Sequence, residues 1–546
     1  MDRDLDRMSA TSFDLLVIGG GINGTGVARD AALRGLRVAL VEKNDWGWGT
    51  SARSTRLIHG GLRYLEQYDF ALVHEGLKER ELLLRNAPHL VKPLPFLTPV
   101  YHGDRHSWLM VKLGMILYDL LSWRKSLPTH RSFGPEETLR LEPTLKPDGL
   151  RGGMLYYDGQ VDFPERLCMA NVVDAVEHGA HAANHARVTG FLREEGRIVG
   201  ATVEDGLTGR TYSIRARVVV NAAGPWADAV AGLADSGYQP RLRRTEGIHL
   251  VVPAFTRHAV VMLAQRDGRV FFAVPWQRHE LVGTTDTDFD GDLDRLSASD
   301  SDVRYLVEET RRRFPTARLD EIAYTTSGVR ALVRQPGARD PSATSRKHLV
   351  HRHRTPGSEN LISILGGKLT AYRCLAEEVV DRVCDVLGER RPGRTDTTPL
   401  PGGEERDVAG LAHRLAERVA DRGVAAEAVT HLVRLYGTRA EGLLEEGLRQ
   451  PELLQPMVPG GKDLWVQVLQ SVEHEMARSV DDVLLRRLAL GLEPGNGWEA
   501  APEIARRMGD LLGWDEARIR SEVDAYRQTL GLMRARDLGV PHAAMG

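Results

Sequence analysis

The 546-residue chain has little cysteine and no long hydrophobic run. Its three cysteines, Cys168, Cys374 and Cys384, are far apart in sequence, so they form neither a CxxC redox pair nor a zinc-binding pattern. This spacing excludes a disulfide reductase and makes a reduced, cytoplasmic compartment the expectation. The most apolar run, 108–121, contains a lysine and an aspartate and is shorter than the roughly 20 residues that a membrane-spanning helix needs.

This apolar run allows two interpretations. It could form a buried helix of the core, which is the commoner outcome for such a segment. Alternatively, the longer segment 105–125 could lie in a membrane interface, because basic residues flank it and Trp108 and Trp123 stand near its ends. Both interpretations are compatible with the sequence.

A strong excess of charge of one sign is also missing. The formal net charge is −3, with 42% hydrophobic and 27% charged residues, which is typical of a globular protein. Nucleic acid is therefore not an expected partner. The length exceeds what a single hydrophobic core accommodates and indicates about three structural units.

The first folded unit contains a glycine-rich loop. The motif GGGINGTG supplies the spacing Gly19-x-Gly21-x-x-Gly24, where glycines let backbone N–H groups approach a pyrophosphate at a helix start. Glu42 follows at the end of the next strand, where a carboxylate can bind a ribose hydroxyl. The motif lies in a predicted βαβ unit, whose strand, helix and second strand cover 13–18, 23–35 and 37–42.

Two further strand–turn–helix elements occur at 215–233 and 361–382. Three such elements far apart in sequence suit an extended FAD molecule better than a nicotinamide cofactor, which needs one contiguous unit. The hydroxyl-rich segment 49–55 could bind the phosphates or the ribityl chain. In the turn GGKLTAYR, 366–373, the glycines admit a flavin edge, and the helix start can stabilise negative charge on it.

Other polar residues give weaker signals. Arg330 follows a probable strand, and His249 begins another strand, where a structural histidine is the usual outcome. The acidic run 286–294 resembles a calcium loop, but Ser297 stands where an EF-hand loop requires glutamate. No metal site is therefore predicted.

The fold class predicted is α/β, with a discontinuous Rossmann-like FAD-binding domain, a β-rich substrate domain and an all-α C-terminal domain. The proline- and glycine-rich run 388–407 predicts a linker before that last domain. The FAD-binding domain is expected to comprise 1–90, 150–244 and 326–387, the substrate domain 91–149 and 245–325, and the helical domain 408–546.

The motifs together resemble the FAD-dependent glycerol-3-phosphate dehydrogenases of the D-amino-acid-oxidase-like superfamily. The resemblance covers roughly 13–380 and, through 472–492, the C-terminal domain. It implies oxidation of sn-glycerol 3-phosphate to dihydroxyacetone phosphate, with hydride transfer to flavin N5 and electrons passing to a membrane quinone. The motifs that carry it are VIGGGINGTGVARDAALRGLRVALVEKND, GTSARSTRLIHGGLRYLE, AAGPWAD, GTTDTD, SGVR and GGKLTAYR.

The resemblance also implies roles for individual residues. Arginine offers a planar fork and lysine a point charge to a phosphate dianion. His249 is the candidate base, because a pKa of about 6.5 suits proton acceptance near neutrality, although a lysine or arginine could instead stabilise a developing alkoxide. The implied substrate residues are Arg63, Tyr64, His249, Arg330 and Lys368, of which His249, Arg330 and Lys368 are also the implied catalytic residues. The implied FAD-binding residues are Gly19, Gly21, Ile22, Asn23, Gly24, Glu42, Thr50, Ser51, Ser54, His59, Gly60, Gly61, Gly366, Gly367, Lys368, Leu369 and Thr370.

The same resemblance implies a homodimer that associates peripherally with the inner face of the cytoplasmic membrane, where quinone is found. The nearest alternative is a glycerol-3-phosphate oxidase, which passes electrons to O₂ and forms hydrogen peroxide. An amine or amino-acid oxidase of the superfamily would need a carboxylate clamp and not several cations. A non-catalytic flavin-binding protein would not require the cations and Tyr64 together.

Overall fold

The computed structural model describes residues 1–65, 68–122, 125–334 and 347–535, and only the backbone of Arg63. Two β-sheets and a C-terminal group of helices form this part of the chain, so the α/β class is confirmed. The strands are β1 (Ser12–Ile18), β2 (Val38–Val41), β3 (Leu57–Ile58), β4 (Val91–Tyr101), β5 (Arg131–Phe133), β6 (Leu150–Val161), β7 (His181–Ala183), β8 (Ala186–Glu194), β9 (Arg197–Asp205), β10 (Thr211–Asn221), β11 (Leu242–Pro253), β12 (Ala259–Leu263), β13 (Val270–Trp276), β14 (His279–Gly283), β15 (Thr287–Asp288), β16 (Tyr324–Val333), β17 (Leu349–Arg352) and β18 (Leu361–Leu365).

Helices cover the sheets and make up the C-terminal region. They are α1 (Leu5–Ala10), α2 (Ile22–Leu33), α3 (Phe70–Asn86), α4 (Trp108–Leu121), α5 (Pro135–Leu141), α6 (Pro164–Glu177), α7 (Ala227–Ala234), α8 (Asp300–Arg313), α9 (Tyr372–Leu387), α10 (Val408–Arg418), α11 (Ala426–Tyr436), α12 (Ala440–Arg449), α13 (Val466–Leu469), α14 (Val480–Asp482), α15 (Ala501–Leu512) and α16 (Glu516–Met533). The three predicted strand–turn–helix elements are confirmed as β1–α2, β10–α7 and β18–α9.

The first sheet is built around parallel strands. Its main order is β17-β18-β10-β1-β2-β7, and β8 and β9 extend it from β10. Leu15, Leu16 and Val17 of β1 are all fully buried, as expected for a parallel strand covered on both faces. Apolar side chains of α2, α6 and α9 pack on one face of the sheet. The carboxyl ends of β1, β10 and β18 therefore point to the same edge.

The second sheet is mostly antiparallel, in the order β15-β11-β14-β13-β12-β4-β6-β3, with β16 paired to β11. The sequence places 150–161 and 326–333 in the FAD-binding domain, but β6 and β16 hydrogen-bond into this sheet. Hydrophobic patterning does not reveal which sheet a strand joins, because pairing partners are set by tertiary structure.

Helix α4 packs one face against the core, through Met115 and Tyr118, and exposes its other face. Leu109 is 61% exposed and Leu120 is 60% exposed, whereas only Met115 and Tyr118 of this helix are buried. The buried-core interpretation of the apolar run therefore holds only for the face with Met115 and Tyr118, and the rest of the helix is not buried. Among the described residues, no helix combines the length and the apolarity needed to cross a bilayer.

The C-terminal helices α10–α16 share a core with the second sheet. Their buried apolar side chains form one cluster with Phe163, Trp276 and Tyr324. The Tyr324 hydroxyl also donates a 2.6 Å hydrogen bond to the carbonyl oxygen of Leu492. The helical region is thus packed onto the rest of the molecule and not tethered loosely.

The predicted linker 388–407 is fastened along the first sheet's helices. Leu400 is buried, and its N–H donates to the carbonyl oxygen of Asn86 at the end of α3. Arg29 of α2 donates to the carbonyl oxygen of Thr398 at 2.9 Å. A segment rich in proline and glycine is therefore held in place by hydrogen bonds of its own backbone N–H and C=O groups.

Arg373, in the turn motif GGKLTAYR, forms a buried ion pair between two helices. Its guanidinium on α9 donates to both carboxylate oxygens of Glu79 on α3, at 2.7 and 2.8 Å. Burial raises the pKa of Glu79, while Arg373 opposes that rise. The contacts of Arg373 are therefore structural.

We expect Arg373→Ala to leave Glu79 as an uncompensated buried charge and to reduce the free energy of unfolding by about 3 kcal/mol or more. Thermal and chemical denaturation of the purified protein measure the loss. The matched control is Arg382→Ala on the same helix, where an exposed arginine lies 3.4 Å from Glu378 and contributes little. Equal losses in the two variants would contradict the structural role.

Candidate active site

A cavity of about 930 Å³ lies between the two sheets. It extends from the glycine-rich loop before α2, past β11 and β16, to the apolar side of α4. This volume is near the upper end for cofactor and ligand sites in proteins. The candidate active site is therefore one continuous space that both sheets line.

The cavity brings together most of the residues predicted for the site. Gly24 and Gly60 do not line it, and the side chain of Arg63 lies outside the described part of the chain. The predicted residues that line it are Gly19, Gly21, Ile22, Asn23, Glu42, Thr50, Ser51, Ser54, His59, Gly61, Tyr64, His249, Arg330, Gly366, Gly367, Lys368, Leu369 and Thr370.

Close packing explains the two glycines that do not line the cavity. A Cβ atom on Gly24 would clash with the carbonyl oxygen of Gly19, so this glycine lets α2 approach β1. A Cβ atom on Gly60 would come within 2.6 Å of Leu77 and of the Tyr118 hydroxyl, to which the Gly60 N–H donates. Both glycines therefore allow neighbouring segments to pack closely.

The glycine-rich loop presents backbone at the start of α2. Gly19 has a φ of +112°, and a Cβ there would lie 2.6 Å from the carbonyl oxygen of Ala222. Gly21 caps α2 without a side-chain hydrogen bond, while the Ile22 N–H donates to Ser51 Oγ at 2.9 Å. A helix start without a side-chain cap has N–H groups available for an anion.

Glu42 closes the same loop from the end of β2. Its carboxylate accepts hydrogen bonds from the N–H groups of Gly20, at 2.6 Å, and Asn44, at 2.8 Å. Burial raises the pKa of Glu42, and the two N–H donors oppose this rise. The carboxylate is therefore fixed at the cavity wall, where it fits the predicted contact with a ribose.

Direct hydrogen bonds join motifs that are far apart in sequence. Asn23 Nδ2 donates to the carbonyl oxygen of Gly366 at 3.3 Å, which connects the first motif to the third. The His59 N–H donates to Thr370 Oγ1 at 3.1 Å. A Cβ on Gly367 would lie 2.7 Å from Asn23 Nδ2, so this glycine is needed for the close approach.

The residues present fit FAD. Asn23 Oδ1, on the cavity wall, is a buried acceptor with no hydrogen-bond partner within the described ranges. The start of α2 has no side-chain cap, and the glycines before it leave room for a bound group. These features would hold the pyrophosphate near Gly21 and the ribose near Glu42.

His249 lies on β11, deep in the cavity wall. Its Nε2 is 2.9 Å from Thr55 Oγ1, and its Nδ1 has no partner in the part of the chain that the structure describes. Burial, and then the charge of Arg330, lowers the pKa of His249 to about 3. The imidazole is therefore neutral and able to accept a proton, but it is a weak base unless negative charge enters the cavity.

Arg330 reaches the cavity from β16, the neighbour of β11. Its guanidinium donates to Thr284 Oγ1 at 2.9 Å and to Asp286 Oδ1 at 3.2 Å. A Cβ on Gly247 would clash with both terminal nitrogens, so the absent side chain makes room for the guanidinium. Arg330 is thus fixed in orientation and lies near His249.

Lys368 and Tyr64 form a cation–π pair. Lys368 Nζ lies 3.7 Å from the centroid of the Tyr64 ring, and both residues line the cavity. Gly61 has a φ of +78°, and its missing side chain leaves space for that ring. The aromatic face stabilises the ammonium through a cation–π interaction.

The structure adds two basic lining residues, Arg53 and Lys43, to the individual site residues that the sequence predicted. The Arg53 guanidinium lies 4.7 Å from the Trp48 ring centroid and donates to the carbonyl oxygen of Ser327. Burial lowers the pKa of Arg53 to about 10. Lys43 lies 4.2 Å from the Trp226 centroid at the same end. Trp48 and Arg53 are visible in DWGWGTSARST, but their positions depend on tertiary contacts.

The opposite end of the cavity is mostly apolar, although Asp104, Arg105, His106 and Arg313 also line the cavity near the start of α4. Strands β4, β12 and β13 and helix α4 supply its walls, and the exposed residues Met110 and Leu113 of α4 border it. Only the apolar run of α4 could have indicated this end from sequence. Its other lining residues include Phe96, Val100, Val111, Leu117, Val261 and Phe272.

No cluster of three or more His, Cys, Asp or Glu side chains suited to a metal ion occurs within the described ranges. The acidic run 286–294 instead forms ion pairs with basic side chains, such as Asp288 with Arg243 at 2.6 Å and Asp294 with Lys43. Its carboxylates therefore bind arginine and lysine.

Comparison with known families agrees with this arrangement. The family model described as FAD dependent oxidoreductase matches residues 14–373. A second model, the C-terminal domain of alpha-glycerophosphate oxidase, matches residues 393–519. The two matches together cover both sheets and most of the C-terminal helices, and FAD is thereby confirmed as the cofactor.

Individual relatives cover nearly the whole chain. The glycerol-3-phosphate dehydrogenase of Synechocystis is 40% identical over 543 residues, which is 96% of this chain and 98% of that protein. The FAD-complexed glycerol-3-phosphate dehydrogenase of Bacillus halodurans matches with a TM-score of 0.79 and 30% identity, over 97% of this chain and 96% of that one.

A more distant structure shares only the fold. The L-alpha-glycerophosphate oxidase of Mycoplasma pneumoniae matches with a TM-score of 0.56 and 18% identity, over 72% of this chain and 98% of that one. The chain belongs to the FAD-dependent oxidoreductase family and, within it, to the glycerol-3-phosphate dehydrogenases.

Proposed function

We propose that the protein oxidises sn-glycerol 3-phosphate to dihydroxyacetone phosphate and passes the electrons to a membrane quinone. The observation that carries the proposal is that Arg330, Lys368, Tyr64 and His249 all line the FAD cavity. Two cations and a neutral imidazole suit a substrate with a phosphate at one end and a secondary alcohol beside it. The names of the relatives support the same substrate.

The phosphate is assigned to the cationic side chains. Arg330 offers planar N–H donors whose orientation Thr284 and Asp286 already fix. Lys368 adds a positive charge beside the Tyr64 ring. Arg63 is part of the proposal through the resemblance alone, and its backbone lies next to Tyr64 in the short helix Leu62–Leu65.

We assign to His249 the role of accepting the proton of the substrate's hydroxyl group. Flavin N5, when FAD is bound, supplies the hydride-accepting atom. The imidazole accepts the proton, and Thr55 holds the ring through its hydrogen bond to Nε2. Burial and then the positive charge of Arg330 lower the pKa of His249, and the substrate's phosphate would offset the part that is due to Arg330. Positioning of the alcohol by the phosphate contacts contributes several kcal/mol to the rate.

We expect Lys368→Met to raise the KM for glycerol 3-phosphate by about tenfold or more, because a charged hydrogen bond to phosphate is lost. Steady-state kinetics with an artificial electron acceptor measure the change. The matched control is Lys43→Met, which removes a lysine that lines the same cavity at the end near Glu42. A KM that rises equally in both variants would argue against a specific phosphate contact of Lys368.

The quinone assignment rests on the apolar end of the cavity. That end opens beside the exposed side chains of α4, so an apolar acceptor could reach the cavity from a bilayer. The alternative acceptor is O₂, as in a glycerol-3-phosphate oxidase, and it would need no apolar end. The apolar walls favour quinone.

Anaerobic mixing tests both parts of the proposal. Glycerol 3-phosphate should bleach the flavin absorbance of the purified protein, and a ubiquinone or menaquinone analogue should restore it quickly. Oxygen should restore it slowly and with little hydrogen peroxide. Failure to bleach would reject the substrate, whereas fast recovery with O₂ and stoichiometric peroxide would reject the quinone.

Helix α4 is proposed as the contact with the inner face of the cytoplasmic membrane. Its exposed apolar side chains share the helix with a basic residue, Lys112, and Arg105 precedes it. Trp108 lies at its start, a position that tryptophan favours at a bilayer surface. Trp123, which the sequence also indicated, lies outside the described residues. A homodimer is part of the proposal on the resemblance alone.

We expect the double variant Leu109→Glu, Leu120→Glu to reduce cosedimentation with anionic phospholipid vesicles strongly, because two exposed apolar side chains become negatively charged. Neither residue lines the cavity, so flavin reduction by substrate should be unchanged. The control is Leu207→Glu, Leu233→Glu, which changes two exposed leucines elsewhere. Equal vesicle binding by the two double variants would exclude α4 as the contact.

A further inference from the structure

Asp45 is a buried carboxylate in the loop 43–55, which we call the cofactor loop. It lies three residues after Glu42 and six before Ser51, both of which contact the glycine-rich loop. Only 1% of Asp45 is exposed. Glu42 and Ser51 on either side of it line the FAD cavity, whereas Asp45 does not.

The partners of Asp45 come from the C-terminal helical domain. Arg487 donates to both of its carboxylate oxygens, at 2.7 and 2.8 Å, and Arg486 Nε donates to one of them at 2.7 Å. Asn184, on the first sheet's side, adds a fourth hydrogen bond at 2.9 Å. Two consecutive arginines more than 440 residues away in sequence thus hold one loop carboxylate.

The geometry of the C-terminal segment allows both arginines to reach Asp45. They end the segment Val483–Arg487, which is a π-helix and therefore wider than an α-helix. Asp482 anchors Arg486 from the preceding turn at 2.6 Å. The Arg487 guanidinium also donates to the carbonyl oxygen of Glu475 at 2.9 Å. Contacts within the C-terminal domain therefore fix the orientation of both guanidinium groups.

A second, parallel contact joins the same domains without touching the cofactor loop. Arg166 of α6 donates to both carboxylate oxygens of Glu475, at 2.6 and 2.8 Å, and both residues are buried. The guanidinium lies 4.3 Å from the Tyr436 ring centroid. This pair is also a buried bidentate arginine–carboxylate pair, and Arg166 itself does not contact Asp45, so it provides a comparison for the Arg487–Asp45 pair. The two pairs are neighbours, because a Glu475 carboxylate oxygen lies 3.6 Å from Arg487 Nε.

The residues after Asp45 in the cofactor loop contact the glycine-rich loop directly. Trp46 is fully buried, and a Cβ on Gly20 would lie 2.6 Å from its indole ring. The Gly47 N–H donates to the carbonyl oxygen of Gly20 at 2.9 Å. Displacement of Asp45 would therefore move the residues that fix the Gly19–Gly21 turn.

We propose that the C-terminal helical domain holds the cofactor loop in its FAD-binding position, with Arg486 and Arg487 acting as positioning residues through Asp45. Neither arginine lines the FAD cavity, so the effect passes through the loop. FAD and the C-terminal domain then stabilise the same loop conformation, and each favours the binding of the other.

The test compares Arg487→Lys with Arg166→Lys in the full-length protein. Each replaces a buried bidentate arginine by lysine, which keeps the charge and loses the planar fork. Titration of the flavin-free protein with FAD, followed by flavin fluorescence, gives the dissociation constant. We expect Arg487→Lys to weaken FAD binding by about tenfold, a typical coupling between two sites, and Arg166→Lys to change it far less.

Folding is checked independently by circular dichroism and by the melting temperature of the flavin-free forms. Weaker FAD binding in Arg487→Lys at a melting temperature equal to that of Arg166→Lys supports the proposal. Equal FAD affinities in the two variants overturn it. If Arg487→Lys does not fold, Arg486→Lys replaces it with the same two outcomes. FAD binding is measured directly, so the result does not depend on the substrate or the electron acceptor.

Discussion

The common edge of the parallel strands is the constraint on which the site depends. Strands β1, β10 and β18 run in the same direction, so the turns that follow them meet although they are separated by hundreds of residues. Hydrogen bonds between Asn23 and Gly366 and between His59 and Thr370 then join the motifs. Any cofactor that contacts all three turns must lie along this edge, which suits the extended shape of FAD.

The second sheet contributes both polar and apolar side chains to the lining of the cavity. β11 and β16 carry His249 and Arg330 to the cofactor edge, whereas β4, β12 and β13 line the other end with apolar side chains. The polar end suits a phosphorylated alcohol, and the apolar end suits an acceptor that dissolves in lipid. One cavity thus has a polar end and an apolar end.

The sequence predicted the elements whose signal is local. Gly19, Gly21 and Glu42 follow from a strand–turn–helix pattern, and the structure places all three on the cavity wall. Contacts set by tertiary structure were not predictable. Arg373 pairs with a distant glutamate, Asp45 with arginines at the far end of the chain, and the exposure of α4 depends on what its neighbours leave uncovered.

The exposed face of α4 also affects how the protein behaves away from lipid. Four leucine and methionine side chains on this helix are each more than half exposed: Leu109, Met110, Leu113 and Leu120. Water contact with such a face is unfavourable, so lipid, detergent or another copy of the chain would each be a more favourable neighbour for it than water. The number of copies in each particle of the purified protein therefore depends on the solvent as well as on the sequence. It has to be measured both in nanodiscs and in buffer.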